Sequence, residues 1–382
     1  MLISPFTPDS PEPRRAARLA DDFLLSAAED DAAGRFPHAH IRALREAGLL
    51  GLTAPARFGG GGAGLAIAAE VIREVGRGDP AAALILVMQY AHIATLHRTR
   101  WDPALVEMVV TGAVQRGELI NALRVEPDLG TPLRGGLPQT TARRVADGWR
   151  LSGRKIYSTG SEGLTWGIVW ARTEDDHVGQ FLVPMSAAGV RIERSWDTLG
   201  LRASSSHDVI LDDAPGYAAD IRRPEDWGAD GSGWIALLLA ALYTGVAEAG
   251  RDWIAGFLRT RVPANLGKPL AELPRMQEAL GAIEERLVVN RRLIRSAAAE
   301  VDAGVPLPEA AILKHVATEN AIAAVEQALK LAGNHAIARR NPLERHYRDV
   351  LCGRIHSPQE DSVRITAGRA ALGFQTIGKD TP

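Results

Sequence analysis

The sequence predicts a mostly helical α+β protein, with helices at both ends and a small β unit between them. Two observations predict it. Apolar residues recur three and four apart from residue 11 to about 115, and again from about 233 onward. Between about 117 and 215 the pattern changes to short alternating runs with turn residues every 8 to 12 positions, the spacing of an antiparallel sandwich or barrel. The implied boundaries are 1–115 for an N-terminal helical domain, 116–222 for a middle antiparallel β-barrel or sandwich, and 223–382 for a C-terminal helical bundle. A chain of 382 residues is long enough for two or three such units.

In the first region, Ile41, Leu44, Ala47 and Leu50 keep helical spacing, and Pro55, Gly59 to Gly62 and Asp79-Pro80 punctuate it. Gly59, Gly61 and Gly64 fit G-x-G-x-x-G, but no strand precedes them and no βαβ unit follows, so they read as a turn before a helix. In the second region, Ile168-Val169-Trp170, Phe181-Leu182-Val183 and Val190 to Glu193 read as strands. Asp147-Gly148 reads as a hairpin turn and Ser152-Gly153 as a second turn. In the third, Gly233 to Arg261, Pro274 to Ala303 and Pro308 to Leu331 read as the core helices, with Pro308 in a first turn and Gly333-Asn334 as a stop.

The composition excludes several classes. Net charge is -2, with no excess of Lys and Arg to bind nucleic acid or an anionic membrane. No uncharged apolar run reaches spanning length, and no basic n-region precedes an apolar segment at the start, so a cytoplasmic enzyme is expected. Cys352 is the lone cysteine and reads as a buried, inert thiol. There is no P-loop, no G-x-S-x-G elbow, no H-E-x-x-H and no Cys/His cluster with zinc spacing, so no metal is expected. His207 between Ser206 and Asp208 looks like a triad in print, but sequence neighbours rarely converge in space.

Local motifs then carry a resemblance. Residues 46–74, from E-A-G-L-L-G-L-T-A-P to E-V, are similar to the N-terminal signature of the acyl-CoA dehydrogenase superfamily. Val125-Glu126-Pro127-Asp128-Leu129-Gly130-Thr131 resembles its flavin loop, T-E-P-x-A-G-S. Leu151 to Gly160 resembles its L-N-G-x-K-x-W-I-T-N strand, Leu199 to Ser204 its loop closing the β domain, and Leu343 to Asp349 its V-E-R-x-Y-R-D helix. The matches run in order over almost the whole chain.

The resemblance implies the acyl-CoA dehydrogenase fold, ending in a four-helix bundle, with a flavin held between β domain and bundle, in a homotetramer or homodimer. It places Tyr157 at the stacking position, and Thr159 where a hydroxyl and a backbone N–H serve the flavin edge. Val125, Ser158, Gly130 and Thr131 fall in the same cofactor-binding segments; Gly130 and Thr131 would let backbone N–H groups approach closely. Lys330 and Gly333 align with the Q-x-x-G-G motif at the dinucleotide half. The family default is FAD. Here, however, the Arg of R-x-x-F-G aligns with Pro263 and the Gln of Q-x-x-G-G with Lys330. Arg259, Arg261 or Lys330 would have to serve the pyrophosphate; otherwise FMN or diffusible reduced flavin (FMNH2) is expected.

The family's catalytic Glu is also missing. That base must lie opposite flavin N5 to take an α-proton. Its usual place aligns with Ser357-Pro358-Gln359, and the alternative place with Ile235 or Ala236. Lys155-Ile156-Tyr157-Ser158-Thr159-Gly160 and His356-Ser357-Pro358 resemble instead a branch of flavin monooxygenases acting on sulfur- or nitrogen-bearing substrates. By that analogy His356 and Ser158 supply hydrogen-bond donors where oxygen reacts, and His92 is a further pocket candidate. The expectation is reduced-flavin and oxygen chemistry on a small apolar substrate, served by a flavin reductase or electron-transfer partner. Two alternatives stay open: an acyl-CoA dehydrogenase with Glu360 or Asp361 as a displaced base, and a catalytically silent relative kept for binding.

Overall fold

The computed structural model describes residues 10–96, 99–128, 137–226 and 233–374. By packing, the chain divides into two units. The first comprises residues 1–68, 81–198 and 202–230; the second comprises 69–80, 199–201 and 231–382.

The first unit holds α1 (Pro11–Ala33), α2 (His38–Glu46), the first turn of α3 (Leu65–Gly78), almost all of α4 (Pro80–Leu96), α5 (Pro103–Gln115) and the sheet. Prolines open α1, α4 and α5, where a missing N–H costs nothing, and the Asp102 side chain caps α5 on Ala104 N–H. The glycine run is the expected turn: Gly59 is left-handed, and a Cβ on Gly60 would sit 2.2 Å from Ala54 O.

The sheet has seven strands: β1 (Leu119–Leu123), β2 (Thr141–Val145), β3 (Gly148–Lys155), β4 (Leu164–Thr173), β5 (Val178–Pro184), β6 (Val190–Glu193) and β7 (Asp208–Arg222). Pairings β4–β2–β3–β7–β5 return to β4 and close a ring of five strands, with β1 added on β4 and β6 on β7. The barrel is thus mostly antiparallel, but β1 and β2 both run parallel to β4. Val106, Val109 and Val110 of α5 and Ile93 of α4 share one core with Ile120, Ile168 and Leu182 of the sheet.

Two local expectations need correction. The hairpin turn is Ala146-Asp147, with Gly148 already in β3 opposite Val145. Ser152-Gly153 is no turn: it lies inside β3 at a register shift, where a Cβ on Gly153 would meet Thr140 Cα at 2.7 Å.

The second unit contains α6 (Trp234–Thr260), α7 (Pro274–Asp302), α8 (Ala310–Ala332), α9 (Leu343–Leu351) and α10 (Glu360–Ala371). Helices α6 to α9 pack as the bundle and α10 lies on α8. Pro308 precedes α8 by two residues instead of opening it; Gly333 does end it. The remainder of α3 packs on α6 backbone to backbone, since a Cβ on Gly245 would meet Arg73 O at 2.1 Å. Glu248 of α6 is buried there between Arg73 (2.5 Å) and Arg291 (2.8 Å). Burial works to raise its carboxyl, but the two guanidiniums win and hold it below the usual range. No helix among the described residues is long and apolar enough to cross a membrane.

Candidate functional site

Residues 156–163 connect ring strands β3 and β4 and carry three of the expected cofactor residues. Tyr157 has a left-handed backbone (φ 55°), uncommon for an aromatic residue, and its ring is 62% exposed. Such a conformation costs about 1–3 kcal/mol and persists only where the surroundings impose it. Here they do. Ile156 N–H donates to Val125 O (3.0 Å), Ser158 N–H to His207 O (3.2 Å), Gly160 N–H to Ser204 O (2.9 Å) and Ser161 N–H to Ser205 O (3.0 Å). Trp196 meets the Tyr157 ring edge-on, centroids 6.2 Å apart, and leaves a ring face for a flat partner.

Behind Tyr157 lies a layer of buried hydroxyls. Thr159 Oγ1 bonds Ser206 Oγ (3.0 Å), which bonds Ser204 Oγ (2.8 Å). Thr159 N–H already donates to Tyr157 O (3.0 Å), so of its two expected donors only the hydroxyl has capacity to spare. Ser158 is 1% exposed and its Oγ has no partner among the described residues. An orphaned buried hydroxyl beside an exposed aromatic ring fits a bound group that supplies both a flat face and an acceptor.

Sequence reasoning missed the pair that anchors this region. Lys155 Nζ, wholly buried, donates to Glu126 Oε1 (2.6 Å) and Trp170 O (2.5 Å). Glu126 also accepts the N–H groups of Gln139 (2.6 Å) and Thr140 (3.1 Å). It therefore ties together both ends of the segment that contains Gly130 and Thr131, which themselves lie outside the described residues. Desolvation pushes the Lys155 ammonium down to about 8 against the pull of Glu126. Desolvation likewise works to raise Glu126, but Lys155 and the N–H donors hold it below the usual carboxylate range.

In the second unit, His356 Nδ1 lies 2.6 Å from Tyr243 Oη. The phenol is fully buried and burial raises its pKa well above the ordinary value, so it keeps its proton. It has no other acceptor among the described residues, and a buried O–H left unbonded is costly, so the phenol donates to Nδ1. The imidazole proton then sits on Nε2. Desolvation, then the charge of Lys314, pushes His356 down to about 3. His356 is thus a neutral Nε2–H donor and a poor base. Its partner lies 113 residues away in sequence, where no local pattern could reveal it.

The other candidates fall elsewhere. His92 on α4 accepts Ala122 N–H (3.2 Å), which ties α4 to β1. Lys330 and Gly333 are exposed at the C-terminal end of α8, where a cation also complements the helix dipole. Burial pushes Cys352 up to about 12, the inert thiol expected. Ser206, His207 and Asp208 form no relay: His207 Nδ1 accepts Trp196 N–H, and Asp208 accepts from Arg154 and Ser195. Glu360 is held by Arg364, and Asp361 is exposed. Ile235 and Ala236 open α6, whose buried carboxylate, Glu248, is locked between two arginines.

Comparison with known proteins gives the family of the chain. Models of the acyl-CoA dehydrogenase N-terminal, middle and C-terminal domains match residues 14–99, 124–214 and 237–360. The putative acyl-CoA dehydrogenase YdbM of Bacillus subtilis is 35% identical, over 91% of this chain and 93% of its own. L-evernosamine nitrososynthase of a Micromonospora species is 30% identical, over 90% and 86%. The X-ray structure of KijD3 in complex with FMN and dTDP-3-amino-2,3,6-trideoxy-4-keto-3-methyl-D-glucose superimposes with a TM-score of 0.83. It is 27% identical, covering 97% of this chain and 96% of that one. The chain belongs to the acyl-CoA dehydrogenase superfamily.

Proposed function

We propose that this chain is a monooxygenase-type member of the superfamily, using reduced flavin and dioxygen on a small, fairly apolar substrate bearing nitrogen or sulfur. The observation that carries the reading is the Tyr243–His356 pair. Where the dehydrogenases place a carboxylate base, this chain has a segment whose imidazole is neutral and has its Nδ1 lone pair occupied. Such a group donates a hydrogen bond; it does not abstract an α-proton. The nitrososynthase relative supports a nitrogen-bearing substrate.

When bound, the flavin supplies the electrons that activate oxygen. In the chain itself, Tyr157 gives the stacking face, Thr159 and Ser158 offer hydroxyls, and Val125 fixes the strand end by accepting Ile156 N–H. His356 would offer its Nε2–H as a hydrogen-bond donor to reacting oxygen, and His92 aligns β1. Lys330 and Gly333 would reach a dinucleotide half only in an FAD form; FMN fits the replacement of the pyrophosphate arginine by Pro263. Domains at 1–115, 116–222 and 223–382, a homotetramer or homodimer, and a flavin reductase as partner complete the reading.

The second reading is an FAD-dependent acyl-CoA dehydrogenase, favoured by the Bacillus relative, itself a putative acyl-CoA dehydrogenase. It needs a base, and its two candidates suit the task poorly: Glu360 is paired with Arg364, and Asp361 is exposed.

Flavin-loaded protein mixed anaerobically with short- and medium-chain acyl-CoA decides between them. The flavin absorbance should stay oxidised, while a reductase with NADH should support oxygen uptake that depends on an amine or thioether substrate. Bleaching by acyl-CoA would overturn the reading. Failure to bind FAD or FMN at all would favour a silent relative.

A further inference from the structure

Lys314 of α8 is 2% exposed and has no carboxylate within ion-pair distance among the described residues. A buried ammonium without a counter-ion is costly and calls for a reason. Its three N–H groups all go to one short segment: Gly353 O (2.8 Å), His356 O (2.7 Å) and Pro358 O (3.2 Å). That segment lies flat on the bundle, because a Cβ on Gly353 would come within 2.6 Å of Thr318 Cγ2 and 3.1 Å of the Tyr243 ring.

We infer that Lys314 is a positioning residue: it clamps the 353–358 main chain so that His356 meets Tyr243, and its charge keeps the imidazole a single-proton Nε2–H donor. The inference rests on the reading of His356 as a donor. A lysine suits the task because three tetrahedral N–H groups match three converging carbonyls, which a planar guanidinium would not. The charge acts through short distances in a poorly solvated site, where it is screened little.

The groups facing His356 are few. Tyr243 comes from α6, and Lys314 from α8. Behind the phenol stand Asp349 of α9 and the Cys352 thiol. Glu319, one turn along α8 from Lys314, is held by Arg354 at 2.8 Å, and Glu360 of α10 by Arg364. Lys314 is therefore the cation that bears on the ring. Desolvation pushes its own pKa down to about 8, with Glu319 opposing.

The test is histidine-selective 15N NMR of the full chain, with His356→Gln to assign the signal. In the unmodified chain Nδ1 should be unprotonated and Nε2 protonated, unchanged from about pH 6.5 to pH 5, far above the midpoint near 3. The same signal should show an inflection near pH 8, where Lys314 loses its charge. In Lys314→Met, the His356 midpoint should rise from near 3 but stay below the ordinary value of about 6.5, because desolvation persists, and the single tautomer should be lost. In turnover, kcat should fall about tenfold or more with KM little changed.

A His356 signal in Lys314→Met that matches the unmodified chain at every pH would sink the inference. So would a signal in the unmodified chain that stays flat from about pH 7 to 10, which needs no variant to fold. Lys314→Gln keeps amide donors without charge; an unchanged titration there removes the electrostatic half. Acyl-CoA reduction of the flavin would end the monooxygenase reading, yet these spectra would still decide the role of Lys314.

Discussion

Two buried lysines hold the two regions that carry the candidate chemistry, and they do it differently. Lys155 faces a carboxylate, Glu126, and the pair knots together strand β3 and both ends of the segment spanning residues 127–138. Lys314 faces three carbonyls of one segment. Desolvation brings both to about 8. A compensated charge is spent locally and fixes geometry. An uncompensated one still acts on its neighbours, so the same residue type is a clamp in one unit and both a clamp and a source of potential in the other.

The sharpest way to break that contrast is Lys155→Met. It strands a buried carboxylate and should cost about 3–5 kcal/mol, read as a lowered urea midpoint. Adding Glu126→Gln should recover much of the loss, because the unpaired charge goes with it. A single variant as stable as the parent would mean that the pair is no clamp.

Next in size is His356→Ala. Losing one preorganised donor should lower turnover about 100-fold, near 3 kcal/mol, with flavin affinity unchanged by titration. A matching loss of flavin affinity would move His356 from chemistry to cofactor binding.

The smallest effect belongs to Tyr157→Leu. Removing a stacking face worth about 1 kcal/mol should weaken flavin binding about fivefold. Unchanged affinity would leave the exposed ring without a cofactor role.

Much of the fold was legible because it rests on local patterns. The bundle helices α6 and α7 begin and end within a residue or two of the expected Gly233 to Arg261 and Pro274 to Ala303, since periodicity and Gly/Pro punctuation agree there. Ser152-Gly153 misled because the dipeptide that makes a turn also makes a bulge, and Thr140, which crowds it, is distant in sequence. Motifs singled out Tyr157, Ser158, Thr159 and His356 as candidates. They could not show that Tyr157 is left-handed, that Ser158 is orphaned, or that Thr159 N–H is already engaged. Glu126, Lys155, Tyr243 and Lys314 went unassigned because their roles come from partners 13 to 113 residues away. Charge type and hydropathy along the chain carry no trace of such pairings.

The closed five-strand ring bears on how Tyr157 keeps its left-handed backbone. Its flanking strands β3 and β4 are each hydrogen-bonded on both sides, so neither can peel away to let the connection relax. An aromatic side chain this open would ordinarily invite cleavage by a chymotrypsin-like protease, which must first draw several residues into an extended thread. Here no slack can be drawn without opening the whole ring. The most solvent-accessible tyrosine of the β unit should thereby resist digestion, and the strain it carries is maintained by a hoop that has no end to unravel.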